Sequence, residues 1–334
     1  MKISASIYSD ASRPLNRVIS DLVAHQVDML HIDCNDDLSV FEDIKQIRAQ
    51  CDLPLDLHII TEEPEKFYPF LIENPVEYLT FQAEPLKDIL KIPTQIDSKK
   101  GISIITPTAL EIFDAYKDFD FILIMATIPG QSGGKFDNEN FNKIRNFRKQ
   151  YPNKSIHVDG GVNAEVSFIL RQMGVSTAVS GSYLFKQASV GNALMNLTKR
   201  SIGSEFRVKD FMVPINETPL FKLQGATMLE VLQCVESGQM GVAMAIDEQK
   251  KLVGLCSSAD IRKALLKNIN QLDKLSVETM INFNPICIEE NSTVVELLKL
   301  IKNSPFAVLY LPVIDNNKRL KGIVQFSNLI KAEL

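Results

Sequence analysis

Short apolar runs alternate with amphipathic segments over the first 198 residues, and this alternation predicts strands and helices in turn. Apolar runs of this length are typical of strands that are buried on both faces of a parallel sheet. Segments whose apolar residues recur with a helical period predict helices that cover such a sheet. The predicted strands are Lys2–Ile7, Met29–Asp33, Leu55–Ile60, Tyr78–Phe81, Gly101–Ile105, Phe121–Met125, Ser155–Val158 and Thr177–Ser180, and the clearest helices are Pro14–His25, Val40–Gln50, Phe136–Gln150 and Ala164–Met173.

Eight strands separated mostly by helical segments favour a TIM (β/α)8 barrel as the fold of this part of the chain. A doubly wound open sheet is the alternative, because the pattern does not show whether the sheet closes. In a barrel the functional residues lie at the carboxyl ends of the strands and in the loops that follow them. We therefore expect the catalytic and binding residues of this chain at the carboxyl ends of the strands.

The remainder of the chain contains an internal repeat, which predicts two similar units in tandem. Thr227-Met-Leu-Glu230 is echoed by Thr293-Val-Val-Glu296, and Leu252-Val-Gly254 is echoed by Leu320-Lys-Gly322. The expected result is an α+β module made of two β-α-β-β-α units. The predicted domain plan is a barrel at 1–198, a polar linker at 199–206, a first repeat at 207–270 and a second repeat at 271–334.

Composition narrows the function classes. The chain has 334 residues, 45% of them hydrophobic, and a net charge of -5, which counts against a general nucleic-acid-binding surface. No apolar run reaches the roughly 20 residues that a membrane-spanning helix needs, so no membrane partner is expected. The N-terminus enters a strand-like pattern without a signal peptide. The five cysteines lack CxxC spacing and indicate reduced thiols in a cytoplasmic protein.

Metal-type side chains occur at the ends of three predicted strands. His31 and Asp33 are two residues apart and project to the same side of a strand, while His58 and Asp159 end two further strands. Two imidazoles and two carboxylates would suit one divalent metal, namely Zn²⁺, Fe²⁺, Mn²⁺ or Co²⁺. Such a metal polarises a carbonyl group and stabilises an enediolate. Asp33 and Asp159 come from distant strands, so they could act on opposite faces of a substrate carbon, which is epimerisation. The alternative is that each residue is an ordinary hydrogen-bonded polar group.

Glycine-rich segments follow the last three predicted strands. They are residues 124–134 after the sixth strand, Gly160-Gly161 after the seventh and Gly181-Ser182 after the eighth, where Tyr183–Gln187 is a short helical stretch. Glycine lets backbone N–H groups approach an anion closely. The loops after strands seven and eight are the usual phosphate position in a barrel. The sequence therefore predicts a phosphorylated substrate.

These segments resemble the ribulose-phosphate 3-epimerase family from residue 1 to about residue 198. The resemblance implies metal-dependent inversion at C3 of a ketose phosphate, D-ribulose 5-phosphate giving D-xylulose 5-phosphate. It also implies that Asp33 and Asp159 are the acid/base pair and that they bind the metal together with His31 and His58. The matching segments are Ala5-Ser6-Ile7, His31-Ile32-Asp33, Asp56-Leu57-His58, Thr106-Pro107-Thr108, Leu123-Ile124-Met125, Pro129-Gly130, Gly133, Val158-Asp159-Gly160-Gly161 and Gly181-Ser182-Tyr-Leu-Phe185.

The same resemblance implies a set of positions that hold the sugar phosphate, the expected small-molecule partner. The positions that match substrate or phosphate contacts are Ser6, His58, Met125, Gly130, Gly133, Gly160, Gly161, Gly181 and Ser182.

The chain departs from the family around the substrate. Asn35 and Ile60 stand where methionines are usual, Gln82 replaces a usual histidine, and Gln131-Ser132 replaces Phe-Gly. These departures keep open an epimerase for another ketose phosphate, as in surface-polysaccharide synthesis. A non-catalytic sensor of sugar phosphates or nucleotides is a second alternative. The run directly after Asp33 contains no lysine, which counts against the related decarboxylase and synthase barrels of the Asp-x-Lys-x-x-Asp type.

The tail resembles a tandem of cystathionine-β-synthase-type (CBS) domains and is similar to the pair at the end of arabinose-5-phosphate isomerases. In such modules a Ser/Thr-x-x-Asp pattern holds a nucleotide, the hydroxyl on phosphate and the carboxylate on ribose. Ser257 and Asp260 fit this pattern, whereas Asn328 replaces the acid in the second copy. The alternative is a structural or dimerising pair without ligand. Both halves resemble modules that self-associate, so a homo-oligomer is expected.

Overall fold

The computed structural model describes residues 1–127, 133–198, 206–272, 275–305 and 307–326. The described residues up to 198 form one compact unit, the barrel unit, and those from 206 onward form a second, the tail unit. No helix in this described part is both long and apolar enough to span a membrane.

The barrel unit is a closed barrel of eight parallel strands in sequential order. The last strand pairs with the first, with Lys2 opposite Thr177, so the barrel is confirmed and the open sheet is wrong. The strands are β1 (Lys2–Ser6), β2 (Met29–Asn35), β3 (Leu55–Ile60), β4 (Tyr78–Gln82), β5 (Lys99–Ile105), β6 (Phe121–Met125), β7 (Ser155–Asp159) and β8 (Thr177–Ser180).

Helices cover most of the barrel, with two exceptions. Residues 83–98, between β4 and β5, contain no helix, and only a 3-10 helix at Leu110–Tyr116 links β5 to β6. The helices are α1 (Leu15–Ala24), α2 (Val40–Arg48), α3 (Tyr68–Glu73), α4 (Glu139–Gln150), α5 (Ala164–Gln172), α6 (Ser182–Lys186) and α7 (Val190–Thr198).

Burial explains why these segments adopt strands and helices. All five residues of β6 are buried, as expected for a strand covered on one side by helices and on the other by the barrel interior. Helix α1 turns Val18, Ile19 and Leu22 toward the core and leaves its other face to solvent. Polar side chains are also buried on the strands, among them Ser4, Thr80 and Ser103. Burying such groups costs free energy unless they find partners, so the polar interior indicates a functional site.

The tail unit is built from two similar copies, as the repeat predicts. A three-stranded sheet has the order β10-β11-β12 and a four-stranded sheet the order β13-β14-β15-β9. The first copy shows the predicted β-α-β-β-α order, and the second shows β-α-β-β within its described residues. The elements are α8 (Val208–Phe211), β9 (Val213–Pro214), β10 (Leu220–Lys222), α9 (Met228–Ser237), β11 (Val242–Ile246), β12 (Leu252–Ser257), α10 (Ser258–Lys267), β13 (Ile288–Glu289), α11 (Val294–Lys302), β14 (Tyr310–Ile314) and β15 (Leu320–Gln325).

The two copies exchange their leading segments. Val213 of the first copy pairs with Ile323 of the second, and Asn282 of the second bridges to Leu255 of the first. This exchange explains the repeated glycines. A Cβ at Gly254 would lie 2.7 Å from the carbonyl oxygen of Asn282, and a Cβ at Gly322 would lie 2.1 Å from that of Val213.

The Thr-x-x-Glu pattern of the repeat marks the start of one helix in each copy. Thr227 begins α9 and Thr293 begins α11, and each hydroxyl accepts a hydrogen bond from the backbone N–H three residues later. The glutamate carboxylate at that third position accepts a hydrogen bond from the threonine backbone N–H, which completes a capping box.

The predicted features that lie outside the described residues are Pro129-Gly130 and Gln131-Ser132 of the glycine-rich loop, almost all of the linker (199–205) and Asn328.

Candidate active site

Strands β2 and β3 bring two histidine and two aspartate side chains together. His31 lies opposite Asp56 and Asp33 lies opposite His58 in the parallel register. Residues that are paired in neighbouring strands project to the same side of the sheet, and residues two apart along a strand do so too. The four side chains therefore form two layers inside the barrel, with Asp33 and His58 nearer the carboxyl ends of the strands.

A carboxylate supports His31 on the side that faces away from the carboxyl ends of the strands. Its Nδ1–H donates to Asp56 Oδ2 at 2.9 Å, and the Ser4 hydroxyl donates to the same oxygen at 2.9 Å. The other ring nitrogen, Nε2, lies 3.3 Å from Asp33 Oδ1. Burial opposes a charged ring, but Asp33 and Asp56 outweigh it and raise the pKa of His31 well above its ordinary value. This arrangement orients Nε2 toward the carboxyl end of the barrel.

His58 is held from the other side by an amide. Its Nε2 lies 2.9 Å from Gln82 Oε1, the last residue of β4. Its Nδ1 is buried, lies 3.6 Å from Asp33 Oδ1 and has no hydrogen-bond partner among the described residues. An unpartnered buried nitrogen is costly, so this atom is placed for a ligand.

Asp159 joins the cluster from the opposite side of the barrel. It ends β7, and its Oδ2 lies 3.9 Å from His31 Nε2. Burial raises the pKa of Asp159 to about 6. For Asp33, burial acts in the same direction, but His31 and His58 outweigh it and hold the pKa well below its usual range. The two carboxyl groups therefore share one site and differ in acidity.

The donor set fits a divalent cation. Ligand atoms of His31, Asp33 and His58 lie within 4.8 Å of one another. The free ring nitrogens point toward Asp33 because Asp56 and Gln82 occupy the opposite ring atoms, which is the usual outer support of histidine ligands. Two nitrogens and carboxylate oxygen suit Zn²⁺, Fe²⁺, Mn²⁺ or Co²⁺.

A cavity of about 390 Å³ opens over these residues at the carboxyl ends of the strands. This is where the sequence predicts the functional residues. His31 and His58 are fully buried beneath it. The predicted site residues that line the cavity are Ser6, Asp33, Met125, Gly133, Asp159, Gly160, Gly161, Gly181 and Ser182.

One end of the cavity is suited to an anion. A Cβ at Gly133 would lie 3.8 Å from Lys186 Nζ and 4.0 Å from the Ser182 hydroxyl, so these groups border the same space. Gly161 has a φ of +66°, and a Cβ there would lie 2.2 Å from the backbone nitrogen of Phe136. The chain after β7 therefore packs directly against the loop after β6, and only glycine allows this approach.

Several residues of the site carry no signal in the sequence. Asp56 is two residues before His58 and therefore projects to the same side of β3, but its contact with His31 depends on the register between β2 and β3. Tyr8 and Lys186 line the cavity without belonging to any motif, and the hydroxyl of Tyr8 donates to Asp43 at 2.6 Å. Gln82 is a departure from the family pattern whose contact with His58 the sequence does not reveal.

His157 is buried on β7, two residues before Asp159. Its ring stacks on Phe121 with centroids 4.0 Å apart, and its Nδ1 has no hydrogen-bond partner in the described part of the chain. Burial lowers the pKa of His157 to about 4, so the ring is neutral. Contacts with the rings of Phe121 and Tyr78 therefore hold this side chain.

Ser257 and Asp260 of the tail unit satisfy each other. The Ser257 hydroxyl accepts from the Asp260 backbone N–H at 3.1 Å, and the Asp260 carboxylate accepts from both the backbone N–H and the hydroxyl of Ser257. They form the capping box that begins α10. This local role is the same as that of the threonines at the start of α9 and α11.

Fold and site together define a (β/α)8-barrel with a His/Asp/His site at its carboxyl end, followed by a CBS pair. The sequence model of the ribulose-phosphate 3 epimerase family matches residues 2–185, and the chain belongs to this family. The CBS domain model matches residues 277–334. The resemblance to both families is confirmed, and the chain is an enzyme of the epimerase class.

Curated relatives extend over the barrel. The ribulose-phosphate 3-epimerase of Bacillus subtilis is 27% identical over 212 residues, which cover 59% of this chain and 98% of that protein. The ribulose-phosphate 3-epimerase of Methanocaldococcus jannaschii is 29% identical over 227 residues, covering 64% of this chain and 95% of that protein.

Solved CBS structures are similar to part of the chain. A CBS domain-containing protein of unknown function from Bacillus anthracis is 17% identical with a TM-score of 0.33, covering 38% of this chain and 92% of its own. CBSX2 from Arabidopsis thaliana is 22% identical with a TM-score of 0.31, covering 38% and 94%.

Proposed function

We propose that the barrel inverts the configuration at C3 of D-ribulose 5-phosphate, giving D-xylulose 5-phosphate, with Asp33 and Asp159 as the proton-transfer pair. The observation that carries the proposal is the placement of two carboxylates around one cavity. They come from strands β2 and β7, on opposite sides of the barrel, and both line that cavity. Two carboxylates placed in this way can act on opposite faces of a carbon that lies between them.

The proton transfers use only these two groups. One carboxylate removes the proton from C3 on one face of the substrate, so that a double bond forms between C2 and C3 and the C2 carbonyl oxygen takes the negative charge of the enediolate. The other carboxylate delivers a proton to C3 from the opposite face, so the configuration inverts. A divalent cation held by His31, Asp33, His58 and Asp159 would polarise the substrate carbonyl and so make the C3 proton more acidic.

The anion-suited end of the cavity supports a phosphorylated substrate. The Lys186 ammonium and the Ser182 hydroxyl border Gly133, and Gly160 and Gly181 line the same cavity. A phosphate bound there would fix the sugar so that its C2–C3 region reaches the carboxylates. Holding the reacting carbon between two groups is a large part of the rate enhancement in such reactions.

Proton NMR of D-ribulose 5-phosphate with the purified protein tests the reaction. Metal-loaded protein should convert the substrate to D-xylulose 5-phosphate, and chelated protein should not. If the loaded protein leaves D-ribulose 5-phosphate unchanged, the proposed substrate is wrong.

A different ketose phosphate is the second candidate, and two residues favour it. Tyr8 and Asn35 line the cavity with polar groups at positions where the barrel could contact the sugar. Asn35 stands where the family usually has a methionine. The same NMR experiment with other ketose phosphates distinguishes the two candidate substrates. If the protein converts one of these compounds and not D-ribulose 5-phosphate, the proposed mechanism stands and the substrate is that compound. The sensor alternative has no support, since all four acid/base and metal-type residues are present.

For the tail we propose a regulatory CBS pair that binds a nucleotide near Ser257 and Asp260, joined to the barrel by the linker at 199–206. The proposal rests on the CBS family match and on the Ser-x-x-Asp pattern. The capping box uses Asp260 Oδ2, so Oδ1 is the oxygen that would hold the ribose. Calorimetry with adenine and cytidine nucleotides tests it, and no heat from any of them would refute it. A homo-oligomer, a cytoplasmic location and the likeness of the tail to that of arabinose-5-phosphate isomerases stay predictions.

A further inference from the structure

The two ring nitrogens of His58 lie in different surroundings. Nε2 is 2.9 Å from Gln82 Oε1, whereas Nδ1 is buried without a hydrogen-bond partner in the described chain and faces Asp33. A neutral imidazole can bind a cation only through the nitrogen that does not carry the proton. What places the proton on Nε2 therefore decides whether His58 can serve the site.

Gln82 alone does not decide it, because an amide can present either its oxygen or its NH₂ group. Glu84 removes this ambiguity. Gln82 Nε2 is in hydrogen-bond contact with Glu84 Oε2, and a carboxylate oxygen only accepts. The amide must therefore turn its NH₂ group to Glu84 and its carbonyl oxygen to His58.

Glu84 is itself fixed from strand β5 and the turn after it. Its Oε1 accepts from the backbone N–H of Ile105 at 3.0 Å and from the hydroxyl of Thr108. These two donors hold the carboxylate in place, so Oε2 is left for Gln82. A chain of hydrogen bonds, which we call the relay, thus runs from exposed Glu84 through buried Gln82 to the fully buried ring of His58.

We propose that Gln82 and Glu84 are positioning residues that keep the proton of His58 on Nε2 and so present Nδ1 to the metal. This role rests on the metal site of the proposed function. It gives the two histidines different support: a carboxylate, Asp56, lies behind His31, and an amide oriented by a carboxylate lies behind His58. Outer groups of this kind tune how strongly a histidine binds its metal.

Cobalt titration of the full-length protein, followed by the visible absorption of bound Co²⁺, tests the relay without using activity. Gln82→Met removes the acceptor at similar size and should weaken Co²⁺ binding by roughly 10- to 100-fold, the usual effect of losing such support. Glu84→Gln should weaken binding less, since the amide can still reach His58 in one orientation. Glu84 is exposed, so this variant should fold even if Gln82→Met does not.

The double variant Gln82→Glu/Glu84→Gln exchanges the amide and the carboxylate. It should bind Co²⁺ about as tightly as the wild-type protein does. A carboxylate at 82 accepts from His58, and an amide at 84 can donate to it. Glu73→Gln is the matched control for Glu84→Gln. Glu73 is exposed at the end of α3 and does not line the cavity, so Co²⁺ affinity should stay within about twofold.

The outcomes separate cleanly. Unchanged Co²⁺ affinity in Gln82→Met, or no recovery in the double variant, would overturn the relay. If the wild-type protein binds no Co²⁺, the proposed metal site fails and the relay fails with it. If the wild-type protein binds Co²⁺ but does not convert D-ribulose 5-phosphate, the proposed reaction fails while the relay is still supported by the affinity changes.

Discussion

The barrel and the tail each carry a polar motif of their family, but the two motifs are satisfied differently. In the barrel, His58 Nδ1 is buried and has no hydrogen-bond partner within the described residues, and the carboxylates of Asp33 and Asp159 face the same small space. In the tail, Ser257 and Asp260 exchange hydrogen bonds with each other and begin a helix. One motif is incomplete without a ligand, and the other is complete as a piece of local structure.

This difference shows how family motifs are to be weighed against physical chemistry. A buried polar atom without a partner costs free energy, and His58 Nδ1 also faces Asp33 within the His/Asp/His cluster, so the two observations together indicate a ligand. A Ser-x-x-Asp pattern at the start of a helix has a structural reason already, namely the cap. The same residues could serve both purposes, since the cap uses only one oxygen of the Asp260 carboxylate.

The largest expected effect comes from removing one proton-transfer group. Asp159→Asn keeps the size of the side chain but cannot take a proton, and it should lower turnover of D-ribulose 5-phosphate by roughly 1,000-fold. Steady-state kinetics with metal-saturated protein measures this. Asp118→Asn, at an exposed position away from the cavity, is the control and should leave turnover unchanged. Near-normal turnover in Asp159→Asn would remove this residue from the mechanism.

Metal removal is expected to have the next largest effect. Extensive chelation should lower turnover by about 100-fold or more, because the substrate carbonyl loses its electrophilic partner. Activity should return on adding Zn²⁺, Fe²⁺, Mn²⁺ or Co²⁺ to the stripped protein. Metal content measured before and after chelation provides the control. Full turnover in protein that is shown to be metal-free would contradict the His/Asp/His assignment.

A smaller effect is expected where the two copies of the tail exchange their leading segments. Gly254→Ala and Gly322→Ala should each lower the free energy of unfolding by about 2 kcal/mol, because the added methyl group would meet backbone of the other copy. Urea unfolding of the full chain measures this. Gln249→Ala, in the exposed turn between β11 and β12, is the control and should change little. Equal midpoints for all three variants would argue against the exchange.

The smallest expected effect separates the cap from the nucleotide role. Ser257→Ala should cost about 1 kcal/mol of unfolding free energy through loss of the cap, and Thr227→Ala and Thr293→Ala should cost a similar amount. Thermal unfolding of the three variants gives the comparison. If Ser257→Ala costs nothing while the two threonine variants do, the serine is not a cap in solution and a ligand-binding role gains support.

Much of the barrel and its site can be predicted from the sequence, because the relevant signals are local. The apolar runs predict eight strands, and the i, i+2 spacing of His31 and Asp33 predicts that they share a face. The observed β5 starts at Lys99 rather than at the predicted Gly101, because Lys99 pairs with Tyr78 of the neighbouring strand. That extension depends on a partner strand and not on the apolar pattern.

The remaining features depend on contacts between distant segments. The support of His31 by Asp56 follows from the register of β2 against β3, and that of His58 by Gln82 from the register of β3 against β4. The repeated glycine of the tail is explained only by the other copy. The cap at Ser257 could have been predicted, since Thr227 and Thr293 carry the same local pattern with glutamate three residues later.

Isotope incorporation during epimerisation tests the central claim most directly. D-ribulose 5-phosphate is incubated in D₂O with metal-loaded protein, and the reaction is stopped at low conversion for proton NMR and mass analysis. If Asp33 and Asp159 act on opposite faces, the D-xylulose 5-phosphate formed should carry solvent deuterium at C3, while unreacted substrate keeps its original proton. Product that retains the original C3 proton would mean that one group moves the proton between both faces, and it would contradict the two-carboxylate account.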